Sequence, residues 1–201
     1  IYATYHLQLK PGTNVALLNM MFYYIIKEKL EDIEFIKNRT EGYEDFKAFI
    51  ETLNIDDLEK ITGVDKNLVR DAAIAYATVP NAMSFHGLGV TEHSQGTFTV
   101  MQIADLAMIT GNIGRRGVGV NPLRGQNNVQ GAADMGCQPH QGAGYLDLTK
   151  PDIINHFSTF YGVQVPNSVG LKIPEMFDAA IDDKLKALWV IGEDIVLTDP
   201  N

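Results

Sequence analysis

Pro122-Leu123-Arg124-Gly125-Gln126-Asn127-Asn128-Val129-Gln130-Gly131 places one arginine and four side-chain amides within ten residues. An ordinary solvated loop favours Ser, Asp, Lys and Glu. Amides donate and accept hydrogen bonds without titrating, and arginine is a fixed cation. The combination suits a small anion held beside a large polar group. Arg124 reads either as an anion clamp, its planar fork matched to a carboxylate, or as a surface arginine or salt-bridge partner. Gln126, Asn127, Asn128 and Gln130 read as groups that recognise a heterocycle or carboxylate, or as a side-chain to backbone network stiffening a long loop. Both can hold for a loop that lies over a cofactor.

Around this stretch the chain is rich in glycine. Twelve of the 18 glycines fall between Gly87 and Gly144, which marks backbone that bends sharply or approaches something closely. Upstream, Ile1 to Leu9 alternates loosely and predicts a strand or extended segment. Pro11-Gly12-Thr13-Asn14 predicts a turn whose Thr13 or Asn14 side chain caps a helix. Val15, Leu18, Met21, Phe22, Ile25 and Ile26 share one face of that helix. A charged, partly helical stretch runs to about Leu58, and Asp65 caps a helix that Pro80 ends. Ala82 to Gly89 predicts a buried strand running into a glycine turn, and Thr97 to Ile109 a long helix stopped at Thr110-Gly111-Asn112. Downstream, Asp152–Phe160 and Pro174–Ile181 predict helices. Ala187-Leu188-Trp189-Val190-Ile191 predicts a short apolar strand of a parallel sheet, breaking at Gly192-Glu193-Asp194. Ligands of open α/β sheets sit at the carboxyl ends of strands, which directs attention to Gly87–Gly89 and Gly192–Asp194.

The 201 residues suffice for one large or two small α/β units. With 45% hydrophobic and 20% charged residues, the composition is that of a globular protein. A net charge of -9 argues against a general nucleic-acid or anionic-membrane surface, leaving a local basic spot at Arg115-Arg116 open. The longest apolar run, Val15 to Ile26, is interrupted by Asn19 and is too short to span a bilayer. The single cysteine, Cys137, forbids an internal disulfide and reads as a small buried residue. No signal peptide is evident, and the chain is expected in the cytoplasm, with the periplasm as the alternative. It lacks an initiator methionine and stops just after a strand-like segment, so the expectation is a piece of a larger polypeptide.

Several motifs yield only weak signals. Gly87-Leu88-Gly89 has Glu92 where a dinucleotide fingerprint needs its third glycine, and Gly111-Asn112-Ile113-Gly114 follows a helix; NAD binding is not supported. His86, His93, His140 and His156 are scattered without HExxH spacing, so no metal site is expected among them. His140 reads as a polar loop residue. Glu28-Lys29-Glu31-Asp32 reads as a solvated face.

Four segments in this order resemble molybdopterin oxidoreductases and, within them, formate dehydrogenase catalytic subunits: Leu9–Asn19, Gly87–Thr91, Leu106–Gly114 and Asn121–Gly136. Arg39-Thr40-Glu41-Gly42-Tyr43 and Ile191–Asp194 through Thr198-Asp199 also match, so the resemblance covers essentially the whole chain. It implies a fragment of two Rossmann-like α/β domains, 1–126 and 127–201, each holding one molybdopterin guanine dinucleotide of a bis-molybdopterin centre with Mo or W. The iron–sulfur cluster, the metal-ligating residue and a C-terminal domain would lie elsewhere in the polypeptide, and no metal ligand is expected here. Electron-transfer subunits are the implied partners, and formate and CO2 the implied substrate pair.

The resemblance assigns roles by position. Arg124 would bind the formate carboxylate, Gln126 would share its pocket, and Gly125 would let the backbone pass close. Gly12, Thr13 and Asn14 match a guanosine-end contact, Leu88 and Glu92 another cofactor contact. Gly192, Asp194 and Thr198 match contacts to the second pterin nucleotide. Asn14, Leu88 and Glu92 stand where many relatives carry aspartate, methionine and glutamine. Another oxyanion reductase, for nitrate for example, and a non-catalytic cofactor-binding remnant are the alternatives.

Overall fold

The computed structural model describes residues 2–198, so Ile1 and residues 199–201 lie outside the described residues. The chain divides into two compact units, Ile1–Gly125 and Gln126–Asn201.

In the first unit, α1 (Asn14–Lys27) is the central helix. It packs against α3 (Tyr43–Glu51), α4 (Ile55–Thr62), α5 (Lys66–Thr78) and α7 (Gly96–Ile109). Met20, Phe22 and Ile25 of α1 are completely buried among Ile50, Val69, Ala73, Leu106 and Ile109. Phe22 meets Phe46 edge to face at 4.9 Å between ring centroids. Each such side chain contributes about 1.5–3 kcal/mol on burial. Asn19 interrupts the apolar run because its amide oxygen accepts a 2.6 Å bond from Gln102 Nε2 of α7, fixing the two helices together.

The helix starts divide into two kinds. Asp32 caps α2 (Ile33–Arg39), Asn54 caps α4 and Asp65 caps α5, each accepting first-turn N–H bonds through its side chain. Thr13 stands at the same position of α1, but its hydroxyl donates back to the Lys10 carbonyl at 2.6 Å. Neither Thr13 nor Asn14 caps α1 by its side chain, contrary to the sequence reading. A hydroxyl can donate as well as accept, and the Pro11-Gly12 turn presents it with a carbonyl.

One parallel strand pair completes the unit: β1 (Met83–His86) and β2 (Gly119–Pro122), with Met83 opposite Gly119 and His86 opposite Pro122. The one-turn helix α6 (Leu88–Thr91) and α7 form the crossover that a parallel pair requires. The expectation of a buried strand needs correction. Ser84 and His86 are covered, with Ser84 Oγ 3.0 Å from the Tyr76 hydroxyl of α5, whereas Phe85 on the other face is 60% exposed. Helices of this unit cover one face of the pair only.

Asn112, 1% exposed, fixes the strand pair to the helices. Its Oδ1 accepts from Ala82 N (3.0 Å) and Arg115 Nη2 (3.2 Å), while Nδ2 donates to Thr110 Oγ1 (3.0 Å). Gly111 beside it has φ +64°, and a Cβ there would overlap Asp32 Oδ2. Glycine is required at this position by conformation and by space alike.

The second unit contains α8 (Val129–Asp134), a two-residue antiparallel pair β3 (Gln141–Gly142) and β4 (Leu146–Asp147), α9 (Pro151–Tyr161), α10 (Ile173–Ile181) and α11 (Ile195–Thr198). Its buried apolar side chains, among the described residues, are Ile154 and Phe157 of α9. The Phe157 ring occupies the space a Cβ on Gly142 would need. Ala187–Ile191 is not a strand, and Trp189 is 89% exposed. A strand exists only where a neighbour takes its backbone groups, and the described residues provide none. Residues 2–9 form no strand, which leaves the extended-segment alternative of the Ile1–Leu9 expectation. Cys137, expected to be buried, is exposed. It stands in the irregular segment after α8, on the wall of an open cleft lined also by Leu171, Ile173 and Met176.

Candidate functional site

The parallel register brings the carboxyl ends of β1 and β2 side by side. There the Leu123 N–H donates to the His86 carbonyl at 2.7 Å, holding the chain one residue before Arg124. A Cβ on Gly87 would lie 3.4 Å from the Leu123 carbonyl, and one on Gly125 would meet only a Leu88 methyl, at 3.8 Å. Of the predicted site residues, the structure therefore gathers Leu88 and Gly125, with Arg124 between them and the strand end.

Arg124 is exposed and has no hydrogen-bond or ion-pair partner among the described residues. Arg70, by contrast, is paired with Glu28 at 2.9 Å. The salt-bridge reading of Arg124 thus finds no partner among them. Glu92 ends the α6 turn, its N–H donating to the Leu88 carbonyl at 2.9 Å, and its carboxylate is exposed and unpaired among the described residues. Gln126, Asn127 and Gln130 are exposed and make no side-chain hydrogen bond among the described residues, so the stiffening network is not formed. The Asn128 side chain lies in the space a Cβ on Gly131 would need.

Gly12, Thr13 and Asn14 stand apart from the strand ends in their bonding. Gly12 turns the chain at φ +80°, and the turn is fastened by Lys10 N to the Thr62 carbonyl at 2.9 Å. The Asn14 amide is unbonded among the described residues, and the first turn of α1 has no side-chain cap. In the second unit, Gly192, Asp194 and Thr198 form one local turn. Gly192 has φ +75°, and Thr198 Oγ1 donates to the Asp194 carbonyl at 3.1 Å.

Displaced carboxyl pKa values lie away from the arginine loop. Burial raises Asp105, and the Thr149 hydroxyl and N–H lower Asp147. Among the described residues no three His, Cys, Asp or Glu side chains group as metal ligands. No described helix is long and apolar enough to cross a membrane.

Two residues escaped the sequence reading. His86 reads as one of several scattered histidines, yet it is 7% exposed, and its Nδ1 is buried without a partner among the described residues. Asn112 reads only as part of a glycine stop. The available signal for His86 was its place as the last residue before Gly87-Leu88.

A family model described as molybdopterin oxidoreductase matches residues 1–201. The F420-dependent formate dehydrogenase subunit alpha of Methanocaldococcus jannaschii is 45% identical over 98% of this chain and 29% of its own length. The F420-dependent formate dehydrogenase 1 subunit alpha of Methanococcus maripaludis is 43% identical over 99% of this chain and 29% of its own. Formate dehydrogenase H of Escherichia coli is 42% identical over 98% and 28%. The chain thus spans under a third of the length of these relatives. Among solved structures, acetylene hydratase from Pelobacter acetylenicus superposes with a TM-score of 0.52 at 29% identity, over 57% of this chain and 16% of that one.

Proposed function

The chain belongs to the molybdopterin oxidoreductase family, and from that premise we propose that the full-length protein interconverts formate and carbon dioxide, with Arg124 holding the formate carboxylate. The observation that carries this reading is the near-complete match of the chain to relatives named formate dehydrogenases. The fold alone would not carry it, since a protein named acetylene hydratase shares it.

The side chains fit an anionic substrate beside a large hydrogen-bonding cofactor. Arg124 is an exposed cation whose fork is unengaged among the described residues, beside a glycine whose missing Cβ leaves the approach open. A guanidinium binds a carboxylate through two parallel N–H···O bonds, each charge-assisted bond being worth about 1.5–3 kcal/mol. Bound so, formate presents its C–H away from the guanidinium, and orientation of this kind lowers the barrier. The Gln126 amide would donate to the same carboxylate or to a neighbouring acceptor. Oxidation breaks the C–H bond, HCOO⁻ giving CO2, one proton and two electrons. The pterin-bound Mo or W supplies the two-electron acceptor when bound, and an iron–sulfur cluster elsewhere in the polypeptide and partner subunits would carry the electrons away. Arg124 keeps its charge throughout and holds the reacting anion in place.

The same reading assigns 1–126 and 127–201 to two pterin-binding domains. Gly12, Thr13 and Asn14 would meet a guanosine end, where the uncapped first turn of α1 leaves N–H groups free to donate. Leu88, Glu92 and Gly125 would line the first cofactor. Gly192, Asp194 and Thr198 would meet the second, Asp194 through a carboxylate that is unpaired among the described residues.

In the full-length enzyme, Arg124→Ala should raise the formate KM at least about tenfold and lower kcat. Arg124→Lys should recover part of the KM, because lysine keeps the charge and loses the fork. Unchanged kinetics in Arg124→Ala would remove Arg124 from the site. Turnover of nitrate and not formate by the wild type would keep the anion clamp and replace the substrate.

A further inference from the structure

We infer that the imidazole of His86 hydrogen-bonds the molybdopterin cofactor at the carboxyl end of β1, making this buried ring a cofactor contact; the inference rests on the molybdopterin reading and not on the choice of formate. A buried ring nitrogen without a partner costs the fold the full desolvation of that group, so native structures hold few of them. Among the described residues two buried side-chain atoms are left so, His86 Nδ1 and Gln102 Oε1. The Gln102 amide is still bonded through its nitrogen to Asn19. Neither ring nitrogen of His86 has a hydrogen-bond partner among the described residues.

The position of the ring decides what it serves. Ser84 and His86 share one face of β1 by strand alternation. Ser84 is satisfied by the Tyr76 hydroxyl, so the unpaired polar group of that face stands at its carboxyl end. That end is where ligands of parallel sheets bind. The His86 carbonyl also holds Leu123 there, one residue from Arg124, and the next residues are Gly87 and Leu88. A neutral imidazole offers one donor and one acceptor. The pterin cofactor presents amide and ring nitrogens, carbonyl oxygen and phosphate oxygens, any of which answers one of them.

The test separates a cofactor contact from a packing residue by comparing two forms of the full-length protein. One is produced with cofactor, the other in a host unable to make it. His86→Phe keeps a ring and deletes both nitrogens. Cofactor content, read as released pterin fluorescence and as metal per polypeptide, should fall about tenfold. The cofactor-free variant should melt at the wild-type temperature or above, because the unpaired nitrogen is gone. His86→Gln should regain part of the cofactor content. Unchanged cofactor content in His86→Phe overturns the inference. So does equal destabilisation of the two forms, which would mark a ring held by packing or by an ordered water. Wild-type protein that binds no pterin removes the molybdopterin reading and this contact together. Wild-type protein that binds it without oxidising formate removes the formate proposal alone.

Discussion

In Ile1–Gly125 the central helix α1 is sheathed by four others and completely buries Met20, Phe22 and Ile25, whereas in Gln126–Asn201 the described residues bury Ile154 and Phe157 and leave Trp189, Ile191, Val196 and Leu197 exposed. The difference does not follow from apolarity, since Ala187–Ile191 is as apolar as the middle of α1. It follows from who provides the partner. A helix closes its own backbone bonds and needs only a face to cover. A strand needs another strand to exist at all. The candidate site divides likewise: parallel register gathers the strand ends around Arg124 in one unit, while Gly192, Asp194 and Thr198 share only a local turn in the other.

The contrast is most exposed to Phe22 and Trp189. Phe22→Ala should cost about 3–5 kcal/mol in urea unfolding, because α1 is enclosed on several sides and cannot collapse into the hole. Trp189→Ser should stay within about 0.5 kcal/mol in this chain. Equal losses would mean that both units hold closed cores, and the comparison would fall.

A smaller effect tests how the helices of the first unit set its strand pair. Asn112→Ala leaves the buried Ala82 N–H without that acceptor and removes the amide donor to Thr110 Oγ1, whose own hydroxyl stays bonded to the Leu106 carbonyl. The expected loss is about 1–3 kcal/mol, with faster amide exchange in β1 than in α1. Exchange rising equally throughout both units would show that Asn112 is no local anchor.

Much of the first unit was legible because its signals are local. The spacing of Val15 to Ile26 and the Asp65 cap need only a few neighbouring residues to act, and both are realised as read. The α/β class was legible too, from one strand ending in Gly87 and a helix stopped at Gly111. The misreadings depend on the folded surroundings of each residue. Thr13 could accept or donate, and the Lys10 carbonyl decided it. Phe85 is exposed because the helices of its unit lie on the other face of β1. Cys137 looked like a core residue by type, but no core is built around it. His86 was marked in the sequence only by its place before Gly87-Leu88, because a missing hydrogen-bond partner is a property of the folded surroundings. Arg124 was legible as a candidate because its amide-rich context is local. That it stands unpaired beside two strand ends needed the register.

The smallest effect contrasts the two units through pH. Asp105 of α7 is raised by burial, and Asp147 of β4 is lowered by the Thr149 hydroxyl and N–H. Between the unfolded carboxyl value of about 3.9 and the raised Asp105 value, the native state holds more protons than the unfolded one. Through that window Asp105 makes stability fall as pH rises, and above it the penalty is complete. Asp105→Asn should therefore raise the neutral-pH melting temperature and flatten that slope. Asp147 has the opposite sign: its contribution is present above about 3.9 and is lost as pH falls through the lowered folded value. Asp147→Asn should lower the melting temperature slightly at neutral pH, the two curves converging in acid. Melting of both variants in the full-length protein across pH 3 to 8, a span of about five units set by those carboxyl values, checks the pair. Shifts of the same sign would show that burial does not distinguish Asp105 from Asp147, and the contrast between the more enclosed first unit and the more open second would lose this support.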